Sequence, residues 1–421
     1  MDKREFLKNS SLLGLGSLLT FPSLEKLMQS VEKTPSLELA SDEDFWMQIR
    51  KAYKLKPDYI NLENGYYCIQ PEEILEAYIK HVRDVNLQGA YYMRTVQYDN
   101  KKMVTQKLAE LAGCTAEELI ITRNTTESLD MIIGGLDWKE GDEAIYSFTD
   151  YGAMMDMFDQ VAHRYKTVNH IVPLPLDTKS DSEIIEQYES RITPKTKLIM
   201  ICHMINITGQ ILPVKKICEM AHKKGVQVMV DGAHSFAHMN FKIPDLDCDY
   251  FGASLHKWLS VPLGAGLLYV KKENIQKVWP LFAETKKPDN DIARLNHTGT
   301  IPVHTDLAIV NSIEFYNKIG AQRKEDRLRY LQNYWVKQVR GLPNIIINTP
   351  EDVKRSCGIA NVGIKGMKPA MMAEKLLKEH KIYTVAIDNG SVQGCRITPN
   401  VYTTTKELDE LVNALKTLSK V

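Results

Sequence analysis

Residues 226–238 read VQVMVDGAHSFAH, and after a short turn-rich passage residues 249–270 read DYFGASLHKWLSVPLGAGLLYV. The first apolar, β-branched run, Val226 to Val230, follows a helical pattern and Gly225 and ends on Asp231, with Gly232 directly after it. In an open α/β sheet ligands sit at the carboxyl ends of the strands, so this reading offers Asp231 to a cleft. A second strand around Tyr250 to Ala253 leads into Ser254, His256 and Lys257, and a glycine-punctuated strand, Gly264 to Val270, follows. Leu255, Trp258 and Leu259 surround the lysine with apolar side chains, which disfavours the ammonium form and depresses the amine pKa. Such an amine can form a Schiff base. Taken singly, a buried aspartate capping a turn and a surface lysine account for the same residues.

Taken together, Asp231 and Lys257 are the two protein groups that pyridoxal 5'-phosphate chemistry requires: an acid for the pyridine nitrogen and an amine for the aldehyde. The D-G-A-H and S-x-H-K-W segments resemble the class V aminotransferase family of fold-type I pyridoxal-phosphate enzymes, and most closely its isopenicillin N epimerase-like branch. The resemblance implies that Lys257 is the Schiff-base lysine and Asp231 the partner of the pyridine nitrogen. It also implies that His234 contacts the 3-oxygen side of the cofactor, and that Ser254 and His256 complete a phosphate cup.

Upstream, the pattern from Pro71 to Ala112 is helical, and TRNTTE (122–127) lies where a buried strand, Leu119 to Thr122, gives way to a helical pattern of Leu129, Ile132, Ile133 and Leu136. A helix N-terminus presents free N–H groups and a positive dipole end, so Asn124-Thr125-Thr126 is a ready phosphate site. An ordinary cap, Asn124 with Glu127 as a variant capping box, is the plainer reading of the same residues. The resemblance assigns phosphate contacts to Thr125 and Thr126, a ring stacked on the cofactor to Tyr151, and the 3-oxygen to Asn206. It places His203 at the cleft, where a core histidine is an equal alternative. Asn64 and Gly65, in YINLENGYYC (59–68), match the family's substrate loop loosely and also read as a turn. Thr300, after Gly299, corresponds to a pair that reaches the phosphate bound by a second subunit, which implies an isologous dimer with a shared site. Arg396 stands where the family binds the substrate α-carboxylate, a task suited to a permanently charged, bidentate guanidinium.

The 421 residues are 44% hydrophobic and 25% charged, with 53 Lys plus Arg against 53 Asp plus Glu, so no global field recruits nucleic acid or an anionic membrane. The seven cysteines are scattered without a C-x-x-C pair and read as packing thiols, and no His/Cys cluster has metal-ligand spacing. Residues 1–40 do not read as part of the fold. Lys3-Arg4, Phe6-Leu7 and the mild apolar run Ser11 to Phe21 resemble a twin-arginine export signal in which the first arginine is Lys3, implying a periplasmic protein; a tail on a cytoplasmic enzyme is the alternative. No segment is long and apolar enough for a stable membrane span.

The expected fold is α/β: a fold-type I enzyme with a large, mainly parallel α/β/α domain over residues 72–300 and a small α+β C-terminal domain over 301–421, against which residues 41–71 pack. The expected function is transamination or epimerisation at the α-carbon of an amino acid or amino-acid derivative. Alternatives are a C–S lyase; a desulfurase-like enzyme, disfavoured because only Cys395, adjacent to Arg396, and the distant Cys357 could serve as its nucleophile; and a protein that binds the cofactor or another ligand without turnover.

Overall fold

A computed structural model describes residues 22–178 and 180–420. Seven strands form the main sheet: β1 (Leu119–Thr122), β2 (Glu143–Ser147), β3 (Val168–Val172), β4 (Thr196–Cys202), β5 (Gln227–Asp231), β6 (Tyr250–Ser254) and β7 (Gly266–Val270). Their order is β1-β7-β6-β5-β4-β2-β3, and β7 alone runs antiparallel to its neighbours. The five residues Leu198 to Cys202 and the four residues Val228 to Asp231 are all buried, as expected of central parallel strands covered on both faces. Each fully buried Leu, Ile or Val there contributes about 1.5–3 kcal/mol.

Register sets the level of the future site. Cys202 pairs with Asp231, and Asp231 with Gly252, so the ends of β4, β5 and β6 finish side by side. Gly232 follows at once because the Phe251 ring fills the space: a Cβ at this position would stand 1.9 Å from the ring.

A second sheet comprises β8 (Ile345–Ile347), β9 (Ala360–Ile364), β10 (Val385–Asn389) and β11 (Val392–Ile397), all antiparallel in the order β10-β11-β9-β8. Its apolar face packs with Leu331, Trp335, Leu408, Leu411 and Leu415 in a core separate from those of the large sheet. The last helix, Thr405–Leu418, starts with a capping box of Thr404 and Glu407. Residues Ile60–Asn61 pair in parallel with Ile382–Tyr383, and Glu63 bridges to Thr398, so the N-terminal segment is threaded onto this second unit.

Three sequence expectations need correction. Residues 22–40 do belong to the fold: the helix Pro22–Ser30 packs on the helix Val303–Ile319, Leu24 and Leu39 are buried, and the carbonyls of Leu39 and Ala40 accept from Trp46 Nε1 and Arg327 Nη1. The Lys3-Arg4 segment lies outside the described residues. The helical pattern from Pro71 to Ala112 is two helices, Glu72–Gln88 and Gln97–Ala112, because Gly89 at φ +52° leaves the helical region and a π-turn, Tyr92–Val96, follows. The helix Val303–Ile319 sits with the large unit, since Val303, Leu307, Ile309 and Ile313 share a core with strand residues Ile199 and Val228.

Candidate active site

The carboxyl ends of the parallel strands open on one cavity of about 350 Å³. Thr125 and Thr126 follow β1, Tyr151 follows β2, Cys202 and Asn206 come from the end of β4, Asp231, Ala233 and His234 from β5, and Ser254, His256 and Lys257 from β6. Arg396 on β11 and Gly65 and Tyr66 from the threaded N-terminal segment close it from the side of the second sheet. Chain segments far apart in sequence converge here because every strand but β7 points the same way.

Lys257 opens on the cavity, yet the protein packed around its amine holds its pKa down to about 8; Asp231 opposes this and the Arg396 charge adds to it. His234 sets the direction of the contact. Trp258 Nε1, which can only donate, points at His234 Nδ1 at 3.4 Å, while Lys257 Nζ lies 3.1 Å from Nε2. Burial, then Lys257 and Arg396, hold His234 well below the usual histidine range, so it is neutral. With Nδ1 accepting, the proton sits on Nε2 and donates to the lysine nitrogen, which favours the neutral amine.

Asp231 is buried, and one carboxylate oxygen accepts from Ala233 N at 2.9 Å; the other has no hydrogen-bond donor among the described residues. Burial raises its pKa against the pull of the Ala233 N–H and of Lys257. Asp150, a neighbour that the sequence reading passed over beside Tyr151, is buried too; burial chiefly, and the Asp231 charge, push it up to about 8 against the Ser147 N–H. Asp150 is therefore largely protonated at neutral pH.

At the opposite end, Ser254 Oγ accepts from Thr125 N at 2.8 Å and lies 2.7 Å from Thr125 Oγ1. Asn124 caps the helix Thr125–Gly135 by accepting from Glu127 N at 2.8 Å, and this helix start lines the cavity. Glu127 does not close a capping box: its carboxylate accepts from Arg123 N and pairs with the Arg123 guanidinium. His256 Nδ1, also on this cavity, is buried without a partner, and burial lowers the ring to about 4.

Three expected residues stand off the cavity wall. Asn64 is fully buried, its amide donating to Thr398 O and its oxygen accepting from Tyr402 Oη. His203 packs edge-on against Phe241 at 4.8 Å, held neutral by burial at about 4. Thr300 is exposed and lies away from the cavity within one chain. Of the tyrosines near cleft loops in sequence, Tyr66 reaches the wall while Tyr67, Tyr91 and Tyr92 do not. The sequence reading missed Glu63, which forks onto Arg396; its only signal was an acid directly before the Asn-Gly pair.

A helix N-terminus with two threonines and a serine at one end, a buried carboxylate at the other, and a lysine of lowered pKa between suit pyridoxal 5'-phosphate. The sequence model described as Aminotransferase class-V matches residues 68–411. The chain belongs to the class V aminotransferase family. Within this family it is similar to isopenicillin N epimerase of Streptomyces clavuligerus, 24% identical over 391 residues covering 89% of this chain and 98% of the relative. It is also similar to a probable cysteine desulfurase of Halalkalibacterium halodurans, 27% identical over 78% of this chain and 85% of the relative. Among solved structures, the apo cysteine desulfurase of Thermococcus onnurineus superposes with a TM-score of 0.79 at 21% identity, covering 88% of this chain and 97% of that one. That likeness establishes the fold, the fold-type I arrangement expected from sequence.

Proposed function

We propose that this class V protein is a pyridoxal-phosphate enzyme acting at the carbon that bears the amino group of an amino acid or amino-acid derivative, by transamination or epimerisation. The observation that carries it is the Lys257 amine, its pKa held down to about 8, facing the same cavity as the buried carboxylate of Asp231. The cofactor, when bound, withdraws electrons from that carbon. Lys257 is the residue placed to take and return its proton, and a value near 8 lets the amine accept it at neutral pH. Asp231 holds a proton on the ring nitrogen, Thr125, Thr126, Ser254 and His256 hold the phosphate, Asn206 and His234 orient the 3-oxygen side, and Tyr151 covers the ring face.

Transfer of a proton along one face needs a single base, and Lys257 is that base. Inversion needs a second acid, for which Tyr66, 73% exposed at the cavity mouth, is the residue in place. Sulfur transfer through a cysteine persulfide is disfavoured. Burial pushes the Cys395 thiol up to about 11 and Cys357 to about 12, and Cys202, on the wall itself, is raised well above the usual range by burial and the two aspartates. Incubating holoenzyme with an amino-acid panel in deuterated water separates these cases. Deuterium at Cα with racemised product supports epimerisation and a keto acid supports transamination; pyruvate with sulfide would replace this reading with a lyase, and full retention of the Cα proton would sink it.

We further propose that the enzyme is a homodimer in which Gly299 and Thr300 reach the partner's phosphate, and that the Lys3-Arg4 segment is an export address. A cofactor-loaded, active monomer in sedimentation counts against the first. A folded reporter retained in the cytoplasm behind residues 1–40 counts against the second.

A further inference from the structure

Arg396 is already holding a carboxylate. Its Nε donates to Glu63 Oε2 at 3.2 Å and its Nη2 to Glu63 Oε1, a two-pronged pair in which both side chains are under a tenth exposed. The remaining nitrogen, Nη1, donates to Asn206 O at 3.3 Å. Gly65 lies on the guanidinium itself: a Cβ there would meet Arg396 Cζ at 3.0 Å. One two-nitrogen edge of the guanidinium, Nε with Nη2, is therefore taken by the chain's own acid, and the N–H groups left on Nη1 and Nη2 lie beside that carboxylate.

Glu63 is not hung on a loose loop. Its Oε1 also accepts from Tyr66 N at 3.0 Å, and its own N–H donates to Asn61 Oδ1 at 3.1 Å. The next two residues are pinned to β11's continuation: Asn64 N and Gly65 N donate to Thr398 Oγ1 at 2.7 and 3.1 Å, and the Asn64 amide donates to Thr398 O. A substrate carboxylate arriving at Arg396 must either evict Glu63 from these contacts or sit beside a second negative charge in a largely enclosed site. Both are unfavourable, since an unpaired buried carboxylate or two adjacent like charges cost more than one satisfied pair.

We propose that Glu63 is a fixed counter-ion to Arg396 that selects an amine lacking a free neighbouring carboxylate, such as an amino-acid amide, an ester or an amino alcohol, over the free α-amino acid. The inference rests on the amine chemistry proposed above and narrows its substrate to the derivative end. A neutral carbonyl or hydroxyl group can still accept from Arg396 Nη1 or donate toward Glu63 without adding charge.

The test is a titration of reconstituted holoenzyme, followed by cofactor absorbance, with alanine and leucine each as the free acid, the amide and the amino alcohol. The wild-type protein is expected to half-saturate at a concentration about tenfold lower for amide and alcohol than for acid. Glu63→Gln keeps the Tyr66 N–H contact but removes the charge; it is expected to tighten binding of the acids by about tenfold while leaving the amides within about threefold. The wild-type comparison stands alone if the variant does not fold. Wild-type protein that takes the acids as tightly as the amides, or a Glu63→Gln that weakens acid binding, overturns the role of Glu63 and leaves the amine chemistry intact. An absorbance that responds to none of the six compounds overturns both.

Discussion

The two walls of the cavity are finished to different degrees. On the strand-end wall, among the described residues, one carboxylate oxygen of Asp231 has no donor and His256 Nδ1 is buried without a partner, while the Lys257 pKa is held down to about 8. On the facing wall, each guanidinium nitrogen of Arg396 already has a partner, and the loop behind Glu63 is bonded at successive backbone positions to Thr398. A wall short of partners is built to be completed by a bound group. A wall whose arginine is already paired with the chain's own acid attracts a further anion weakly and helps decide which ligands are refused. How far each wall's polar groups are already partnered separates their roles.

The comparison breaks most readily at the lysine. Lys257→Ala is expected to abolish the visible absorbance of added cofactor and to reduce turnover by on the order of a thousandfold or more. In the wild-type apoprotein the rate of cofactor capture should climb as pH rises through about 8, because only the unprotonated amine attacks and its folded value lies below the ordinary lysine value. Capture that is independent of pH between 7 and 9 would show that this wall is not poised as described. Next in size, Asp231→Ala is expected to keep some cofactor but lose about 10²–10³ in turnover, the scale of removing one electrostatic partner from a reacting group. Wild-type rates in that variant would count against its role.

The paired wall can be loosened without touching the arginine. Thr398→Val removes the acceptor for Asn64 N and Gly65 N and the donor to Leu62 O, and is expected to destabilise the fold by about 2–3 kcal/mol in urea unfolding. A loss below the error of that measurement would mean the loop holds Glu63 by other means. The smallest effect concerns Asp150. Its folded pKa is raised from 3.8 to about 8, so the cost of keeping it is absent below 3.8, grows as pH rises across that window, and is complete above about 8. Asp150→Asn should therefore be close to neutral at pH 4 and stabilising by about 1–2 kcal/mol at pH 9, read from thermal unfolding across pH. Equal shifts at both pH values would remove Asp150 from the electrostatics of the strand-end wall.

Much of the strand-end wall was legible because each part is local. A β-branched run ending in Asp-Gly, a strand breaking into Asn-Thr-Thr, and a strand ending in Ser-x-His-Lys each encode strand, turn and functional group within a few residues, and ten of the expected residues line one cavity. The misses have physical causes. Asn64 was read as a substrate contact, but its amide turns inward to Thr398 and Tyr402, more than 300 residues away in the chain. Residues 22–40 looked detached because their apolar positions are few. Leu24 and Leu39 nonetheless find a core, since the helix Val303–Ile319 and Trp46 supply surfaces that no local pattern announces.

By itself the sequence determined the alternation of strands and helices, the strand ends that carry Asp231 and Lys257, and the helix start at Asn124-Thr125, because hydrophobic period and capping chemistry act over a few residues. Tertiary structure alone decided the state of Arg396. Glu63 reaches it across 333 positions through the pairing of Ile60–Asn61 with Ile382–Tyr383 and the bridge from Glu63 to Thr398. An arginine's sequence context shows that it is charged; which carboxylate it holds is set by packing between segments that meet only in the folded chain.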